Sequence, residues 1–365
     1  MKKIGVIFGG KSVEHDISII TGLQMLKILS RNYECLPIYI DKDGRWLTAK
    51  NLQKPSIYMD FTRLAKGVKA VIPLFAQEGF LINRKIVKLD CVFNCCHGVN
   101  GEDGTVAAVL ELTGVAYSSS GVLSSAVCMD KVLTKMILNQ NNIINTPFSF
   151  FFRQEFEENP SLVIERLVKE LEYPMIIKPA NLGSSVGISV CENDGQLIEA
   201  IKTAFNFDNK VLVEKYLDGS REFNCACFIY KDRCFVSNVN EVEKSKIYSF
   251  DEKYILEKES TKKELPEEIV GKIKHIAENT YKVLQCFGVV RVDFLYKDNE
   301  VYVNEVNSIP GSLACYLYEN FEEVLDLVIA QAREREKEKR NISFSYDSQA
   351  LKVFERLEET IQLKK

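Results

Sequence analysis

The chain has 365 residues, 46% of them hydrophobic and 27% charged, with a net charge of −4; that length favours two or three domains over one core, and the acidic balance argues against a nucleic-acid or polyanion partner. No apolar run is long enough to span a bilayer. The eleven cysteines are scattered without a CxxC pair, which favours reduced, mostly buried thiols in a cytosolic protein over disulfides or zinc.

A strand over 3–8 opens the chain. Its apolar run stops at glycines, with no long apolar leader and no small-residue cleavage site. Gly9-Gly10-Lys-Ser12-Val-Glu14-His15-Asp16-Ile-Ser18 then leads into an amphipathic helix over 17–29. Glycines allow a sharp turn there, and a helix start offers N–H groups to an anion. Glu14 lies where a strand gives way to a helix, the usual ligand position in an α/β sheet; a capped helix start with incidental acids would read the same way. Strands over 35–40 and 91–95 and a helix over 105–112 continue the βαβ rhythm. That rhythm predicts a parallel sheet with helices on both faces through about residue 117. Between strand and helix, His97-Gly98-Val-Asn-Gly101-Glu102-Asp103-Gly104 holds three glycines. They serve either close backbone approach to a ligand or a plain turn.

A helix over 130–139 is followed by strands over 148–152, 175–178, 188–191 and 211–214 and helices over 161–171 and 194–205, an α+β module. Ile176-Ile-Lys178-Pro-Ala-Asn-Leu-Gly183-Ser184-Ser185-Val-Gly187 is a strand and a hydroxyl-rich loop. Its N–H groups and hydroxyls can cradle phosphates, and Lys178 adds charge. The lysine precedes the loop, so this is not a Walker A motif; a mobile surface hairpin loop is the alternative. Val213-Glu214-Lys215-Tyr216-Leu217, followed by Glu222, offers the donor, acceptor and apolar floor an adenine needs and an acid for ribose hydroxyls. It also reads as an amphipathic strand.

A third block, from 222 to about 333, holds hairpin-type strands and helices near 266–287 and 320–333. Arg291-Val-Asp293-Phe-Leu and Val301-Tyr-Val-Asn-Glu305-Val-Asn307-Ser-Ile-Pro310-Gly311 are two apolar strands that each carry a carboxylate. Side chains alternate along a strand, so Glu305 and Asn307 share a face. A tight turn at Lys297-Asp-Asn299 can bring Asp293 onto it. The donors are all hard oxygen, poor for zinc and good for Mg2+ completed by substrate phosphates. The alternative is a hairpin with two solvated acids. Arg333 to Arg340 alternates in sign, as a solvated helix end does. Leu351, Phe354, Leu357 and Ile361 mark one face of a short tail helix, which either docks or frays.

From Lys3 to about Tyr318, these stretches in this order resemble the D-alanine–D-alanine ligase family of the ATP-grasp superfamily. The resemblance implies an α/β and α+β, three-domain ATP-grasp architecture with an N-terminal parallel-sheet (pre-ATP-grasp) domain. Residues 1–117 would be the N-terminal α/β domain on the first-substrate side, 118–215 the central ATP-grasp subdomain, 216–335 the C-terminal subdomain with metal and oxyanion site, and 336–365 a charged extension. It also implies ATP as co-substrate, two Mg2+ (or Mn2+) ions, and a cytoplasmic enzyme making the peptidoglycan dipeptide through an acyl phosphate. D-alanine and ATP would be its partners, with no nucleic acid or membrane, and the family suggests a homodimer.

Residue by residue, the resemblance implies that Glu14 holds the first D-alanine's ammonium, in a hydrogen-bonded set with Ser184 and Tyr254. His97 would lie near that substrate. Lys131 and Lys178 would bind the α- and β-phosphates and Lys253 the γ-phosphate. Glu214 would face adenine, with Lys215 in the same segment, Leu217 touching it through its backbone and Glu222 on ribose. Asp293, Glu305 and Asn307 would hold the metal ions. Arg291 and the Gly311 N–H would stabilise the tetrahedral oxyanion. The segment 241–260, with Tyr248, would be a lid that keeps water from the acyl phosphate.

Three departures stand out. Ser312-Leu313 follow Gly311 directly, where the family has several intervening residues before the Ser-Leu pair that receives the second substrate's carboxylate. Ala107 replaces the family's usual glutamine, and the charged tail is longer. The expected activity is the joining of two D-alanines, because a family tyrosine at the position of Tyr254 accompanies the dipeptide-forming type. D-serine as acceptor is the alternative; D-lactate fits less well, because no histidine occurs between Glu241 and Ser260. A non-catalytic nucleotide-binding relative is the third reading, and it would be expected to lack metal ligands or phosphate lysines that are all present here.

Overall fold

The computed structural model describes residues 2–59, 67–231, 233–242, 265–343 and 345–362. The first sheet comprises β1 (Lys3–Gly9), β2 (Glu34–Ile40), β3 (Trp46–Thr48), β4 (Lys69–Leu74), β5 (Gly79–Ile82), β6 (Lys85–Lys88) and β7 (Cys91–Asn94), in the order β6-β5-β4-β3-β2-β1-β7. Helix α1 (His15–Leu29) connects β1 to β2, and α2 (Thr105–Thr113) follows β7. Ile4, Val6, Ile7 and Phe8 are fully buried, as a central strand covered on both faces requires. Gly22 lets α1 lie directly on that strand, since a Cβ there would sit 2.4 Å from Phe8. Gly9, at φ +94°, turns the chain out of β1 where a Cβ would strike Ile40 O.

Only β2, β1 and β7 are parallel; β3 to β6 add antiparallel pairs, so the sheet is mixed. The βαβ rhythm did not disclose those strands. They are short, several lysines lie among them, and they turn at Ala76, Glu78, Asn83 and Arg84 with positive φ, at residue types that carry no turn signal apart from Asn83.

Helices α3 (Val122–Met129) and α4 (Lys131–Gln140) lead to the second sheet. Asp130 caps α4 by accepting from the N–H groups of Val132 and Leu133. This sheet has β8 (Phe148–Phe152), β9 (Met175–Pro179), β10 (Ser189–Cys191) and β11 (Lys210–Lys215) in the order β10-β9-β11-β8, all antiparallel. Helices α5 (Arg153–Glu158), α6 (Pro160–Leu171) and α7 (Asp194–Ala204) belong to it. Met175, Ile177, Val211 and Val213 face α6 and α7 in one apolar core. By the alternation of strand side chains, Lys178, Leu212 and Glu214 point to the other face.

The third sheet has β12 (Arg221–Tyr230), β13 (Arg233–Val236), β14 (Asn240–Val242), β15 (Val290–Lys297) and β16 (Glu300–Asn307), ordered β13-β12-β15-β16 with β14 also on β12. Helix α8 (Glu267–Val283) packs on β12. Val303 N–H donates to Ile144 O, bringing β16 against the segment that enters β8. Helix α9 (Phe321–Lys339) packs against α1, β7 and β12.

The charged end of α9 is anchored as well as solvated. Arg335 donates to Tyr117 O and Ser119 O and lies over the Tyr117 and Phe287 rings, and Lys339 pairs with Glu111 at 2.5 Å. Helix α10 (Ala350–Gln362) exposes Leu351, Phe354 and Leu357. Among the described residues, no helix is long and apolar enough to cross a membrane.

Candidate active site

The hairpin of β15 and β16 carries Glu305 and Asn307 on one face, as the alternation predicts, and an irregularity in the strand pairing adds Asp293 to it. Its two turn residues, Asp298 and Asn299, both have positive φ, the geometry that matches the twist of paired strands. Asp293 lies opposite Glu305 and Arg291 opposite Asn307, with a register shift just after Asp293. Arg291 grips both oxygens of Asp293, at 2.7 and 2.8 Å, and Asn307 Nδ2 donates to Asp293 Oδ2 at 3.0 Å. Glu305 pairs with Lys131 Nζ at 2.9 Å.

The donor set fits a hard divalent cation: two carboxylates and one amide, already neutralised by cations on this face. Among the described residues there is no cluster of three or more His, Cys, Asp or Glu that could complete a metal site from protein alone. The remaining donors would come from phosphate oxygens and water.

Facing this hairpin are the two lysines expected at the phosphates. Lys131, at the start of α4, also donates to Leu182 O at 2.7 Å, and Glu305 outweighs burial to raise its pKa. Lys178 lies next to the end of β9; its Nζ is 3.2 Å from Asn304 Oδ1 and 2.5 Å from Glu214 Oε2. Glu214 is expected at adenine, but its carboxylate is buried and engaged by Lys178 and Lys135. Burial opposes its ionisation, yet the two lysines hold its pKa down to about 2. What Glu214 presents toward a base is therefore its strand position, not an available carboxylate. Lys215 Nζ lies 3.4 Å from the carbonyls of Glu172 and Tyr173. The Leu217 N–H has no partner among the described residues, as a backbone contact to adenine would need. Glu222, near the start of β12, is half-buried.

The substrate end joins the first sheet to the rest. Ser184 donates to Glu14, the residue preceding α1, so the expected pair is formed. Ser184 and Ser185 both take positive φ, which places the loop hydroxyls at the cost of some backbone strain. His97 is buried, with Nδ1 2.9 Å from Ile309 O and Nε2 2.8 Å from Thr21 Oγ1. Burial lowers its pKa to about 4, so the ring is neutral, and both nitrogens are already used. His97 thus braces the Ile309-Pro310-Gly311 turn. The Gly311 N–H has no partner among the described residues.

The Ser312-Leu313 expectation needs correcting. Ser312, Leu313 and Ala314 run through left-handed φ of 53°, 46° and 54°. That turns the Ser312 N–H onto Thr21 Oγ1 and the Leu313 N–H onto Pro310 O, while the Leu313 side chain is buried. Only the Ser312 hydroxyl of that pair remains for a substrate carboxylate. Lys253, Tyr254, Tyr248 and the lid beyond Val242 lie outside the described residues.

Sequence reasoning passed over Glu102, Thr21, Lys135, Thr146 and Asn304. Lys135 had a readable signal, a second lysine four residues after Lys131 and so on the same helical face. Thr21 had none. Glu102 accepts from Ile309 N–H at 3.0 Å and from Gly98 N–H at 3.4 Å. Desolvation, then the Glu14 charge, raises its pKa from 4.5 to about 7. The folded form therefore holds a proton the unfolded chain has lost, and stability falls as pH rises through that window. Glu102→Gln should relieve this by on the order of 1–3 kcal/mol above pH 7, less than a fully buried acid would give. The variant's thermal midpoint should rise relative to the parent's as pH goes from 4.5 to 8. A difference independent of pH would contradict the assignment.

Two family models match the chain: the D-ala D-ala ligase N-terminus over residues 3–120 and the D-ala D-ala ligase C-terminus over 137–323. The chain is 42% identical to the D-alanine--D-alanine ligase of Thermosipho africanus, with 95% of this chain and 98% of that protein covered. Among solved structures, it is similar to the D-alanine-D-alanine ligase from Coxiella burnetii, with a TM-score of 0.80, 27% identity and 93% and 96% of the two chains covered. It is also similar to the VanG D-Ala:D-Ser ligase from Enterococcus faecalis, with a TM-score of 0.78, 30% identity and 91% and 99% covered.

Proposed function

The chain belongs to the D-alanine–D-alanine ligase family, and from that premise we propose how its own residues carry the reaction. It is an ATP-dependent ligase that joins two D-alanines through an acyl phosphate, for peptidoglycan precursor synthesis. The observation that carries the assignment of roles is the cleft itself. Lys131 and Lys178 on one wall face Asp293, Glu305, Asn304 and Asn307 on the other.

Glu14, held by Ser184, receives the ammonium of the first D-alanine, with Tyr254 closing that set. The carboxylate of this substrate attacks the γ-phosphate, the bond from γ-phosphorus to the bridging oxygen breaks, and ADP is the leaving group. Lys131 and Lys178 neutralise the α- and β-phosphates and Lys253 the γ, so the protein contributes alignment and charge more than covalent chemistry. Asp293, Glu305 and Asn307 would hold two Mg2+ (or Mn2+) ions, which would add charge neutralisation at the phosphates. The amine of the second D-alanine then attacks the acyl phosphate. Arg291 and the Gly311 N–H receive the oxyanion, and phosphate departs. His97 keeps the Gly311 turn in place. Glu214, Lys215, Leu217 and Glu222 form the adenine and ribose side.

We place the domain divisions at 117, 215 and 335, supported by sheets confined to residues 3–94, 148–215 and 221–307. A cytoplasmic homodimer working without nucleic acid or membrane completes the reading.

A second reading, D-serine as acceptor, draws on the 30% identity to the VanG structure and on the contracted turn after Gly311. In both readings Ser312 meets only the acceptor. Ser312→Ala should therefore raise the KM for the second amino acid at least about tenfold, the loss of one hydrogen bond to a charged group, with little change for ATP. Steady-state kinetics with each substrate varied decides it. KM values that rise together would place the acceptor carboxylate elsewhere.

A further inference from the structure

Lys135 has no role in the reaction above, yet it is a fully buried cation at the nucleotide cleft, 1% exposed. It projects from α4 one turn after Lys131. Its Nζ lies 2.5 Å from Glu214 Oε1 and donates to Thr146 Oγ1 at 2.7 Å, over the Phe148 ring at 5.7 Å. Thr146 donates its hydroxyl to the same Glu214 oxygen. The other oxygen, Oε2, is 2.5 Å from Lys178 Nζ. One buried carboxylate thus holds two ammonium groups.

The two lysines are not equivalent. Lys178 stands at a strand end, 8% exposed, and its second contact is Asn304 across the cleft. Lys135 is enclosed by Thr146, Glu214 and Phe148. A phosphate can draw Lys178 away from Glu214 only if the carboxylate left behind still has a cation, because an uncompensated buried charge is strongly unfavourable. Lys135 is that cation.

We propose that Lys135 is a positioning residue for nucleotide binding, the standing counter-ion of Glu214 that releases Lys178 to the phosphates of ATP. The proposal rests on the reading of Lys178 as a phosphate ligand. Without Lys135, Glu214 keeps Lys178 as its only cation and withholds it from ATP. Adenosine, which has no phosphates, does not sense the difference.

The test is calorimetric binding of Mg-ATP and of adenosine to the full chain, with the ratio of the two affinities as the readout and thermal unfolding as the check on folding. Lys178→Met should lower the ATP-to-adenosine ratio about tenfold or more, as loss of a charged contact to phosphate does. Lys135→Met should lower it comparably. The double variant Lys135→Met/Glu214→Gln should recover most of the loss, since a neutral amide cannot hold Lys178. If Lys178→Met leaves the ratio unchanged, the phosphate role of Lys178 fails, and with it the premise. If Lys178→Met lowers it but Lys135→Met does not, the counter-ion proposal alone is overturned. Loss in Lys135→Met without recovery in the double variant also overturns it, marking Lys135 as structural. Should Lys135→Met not fold, Glu214→Gln alone answers: the ratio should stay or rise, and a fall contradicts the proposal.

Discussion

Glu305→Gln is expected to abolish turnover, lowering kcat by at least about a thousandfold, because it removes one of the two carboxylates assigned to a phosphate-bound divalent ion. Stability should change much less. Glu305 is partly exposed, and its partner Lys131 keeps a bond to Leu182 O. The cost should be about 1–2 kcal/mol, the loss of a charged hydrogen bond that solvent partly replaces. Release of Lys131 should also let the variant bind metal-free ATP at least as well as the parent. Near-parental turnover in Glu305→Gln would remove the hairpin from the metal site.

Arg291→Met should lower kcat by about a hundred- to a thousandfold, the range seen when one donor to a developing oxyanion is removed. The KM for ATP should hold or fall slightly. Arg291 occupies both oxygens of Asp293; its loss leaves that carboxylate readier for a metal ion. A large rise in the KM for ATP with kcat preserved would instead make Arg291 a nucleotide ligand. The two variants read one design. Among the described residues, each cation assigned to phosphate or oxyanion is paired with an acid of the site: Lys131 with Glu305, Lys178 with Glu214, Arg291 with Asp293. Ligand binding is then an exchange of partners, and no charge has to be taken unpaired out of water.

What the sequence disclosed follows from local rules. Strand alternation put Glu305 and Asn307 on one face and a tight turn paired the strands, but it is the register shift after Asp293, which no local signal announced, that sets Asp293 opposite Glu305. The first helix, the helix carrying Lys131 and the four strands of the second sheet fell within a residue or two of their observed ends, because apolar period and caps are short-range signals. Contacts between distant segments were not legible. Thr21 reaches Ser312 across 291 positions of sequence, and no spacing rule connects them. The left-handed run at 312–314 occurs at a serine, a leucine and an alanine, which local propensity would not place there. The four strands between 46 and 88 went unread as well: three of them have four residues or fewer, and most of their turn residues carry no turn signal.

The central claim, that this chain couples ATP to D-alanine as both donor and acceptor, is tested most directly by product analysis during ATP turnover. The purified full chain is given Mg-ATP with D-alanine alone, then with D-alanine and D-serine together, while phosphate and dipeptide are both quantified. The account predicts phosphate release with D-alanine alone, matched one to one by D-alanyl-D-alanine, and that dipeptide still predominating when D-serine is present. Phosphate release only when D-serine is supplied, or no release with either mixture from a folded, ATP-binding protein, would contradict it.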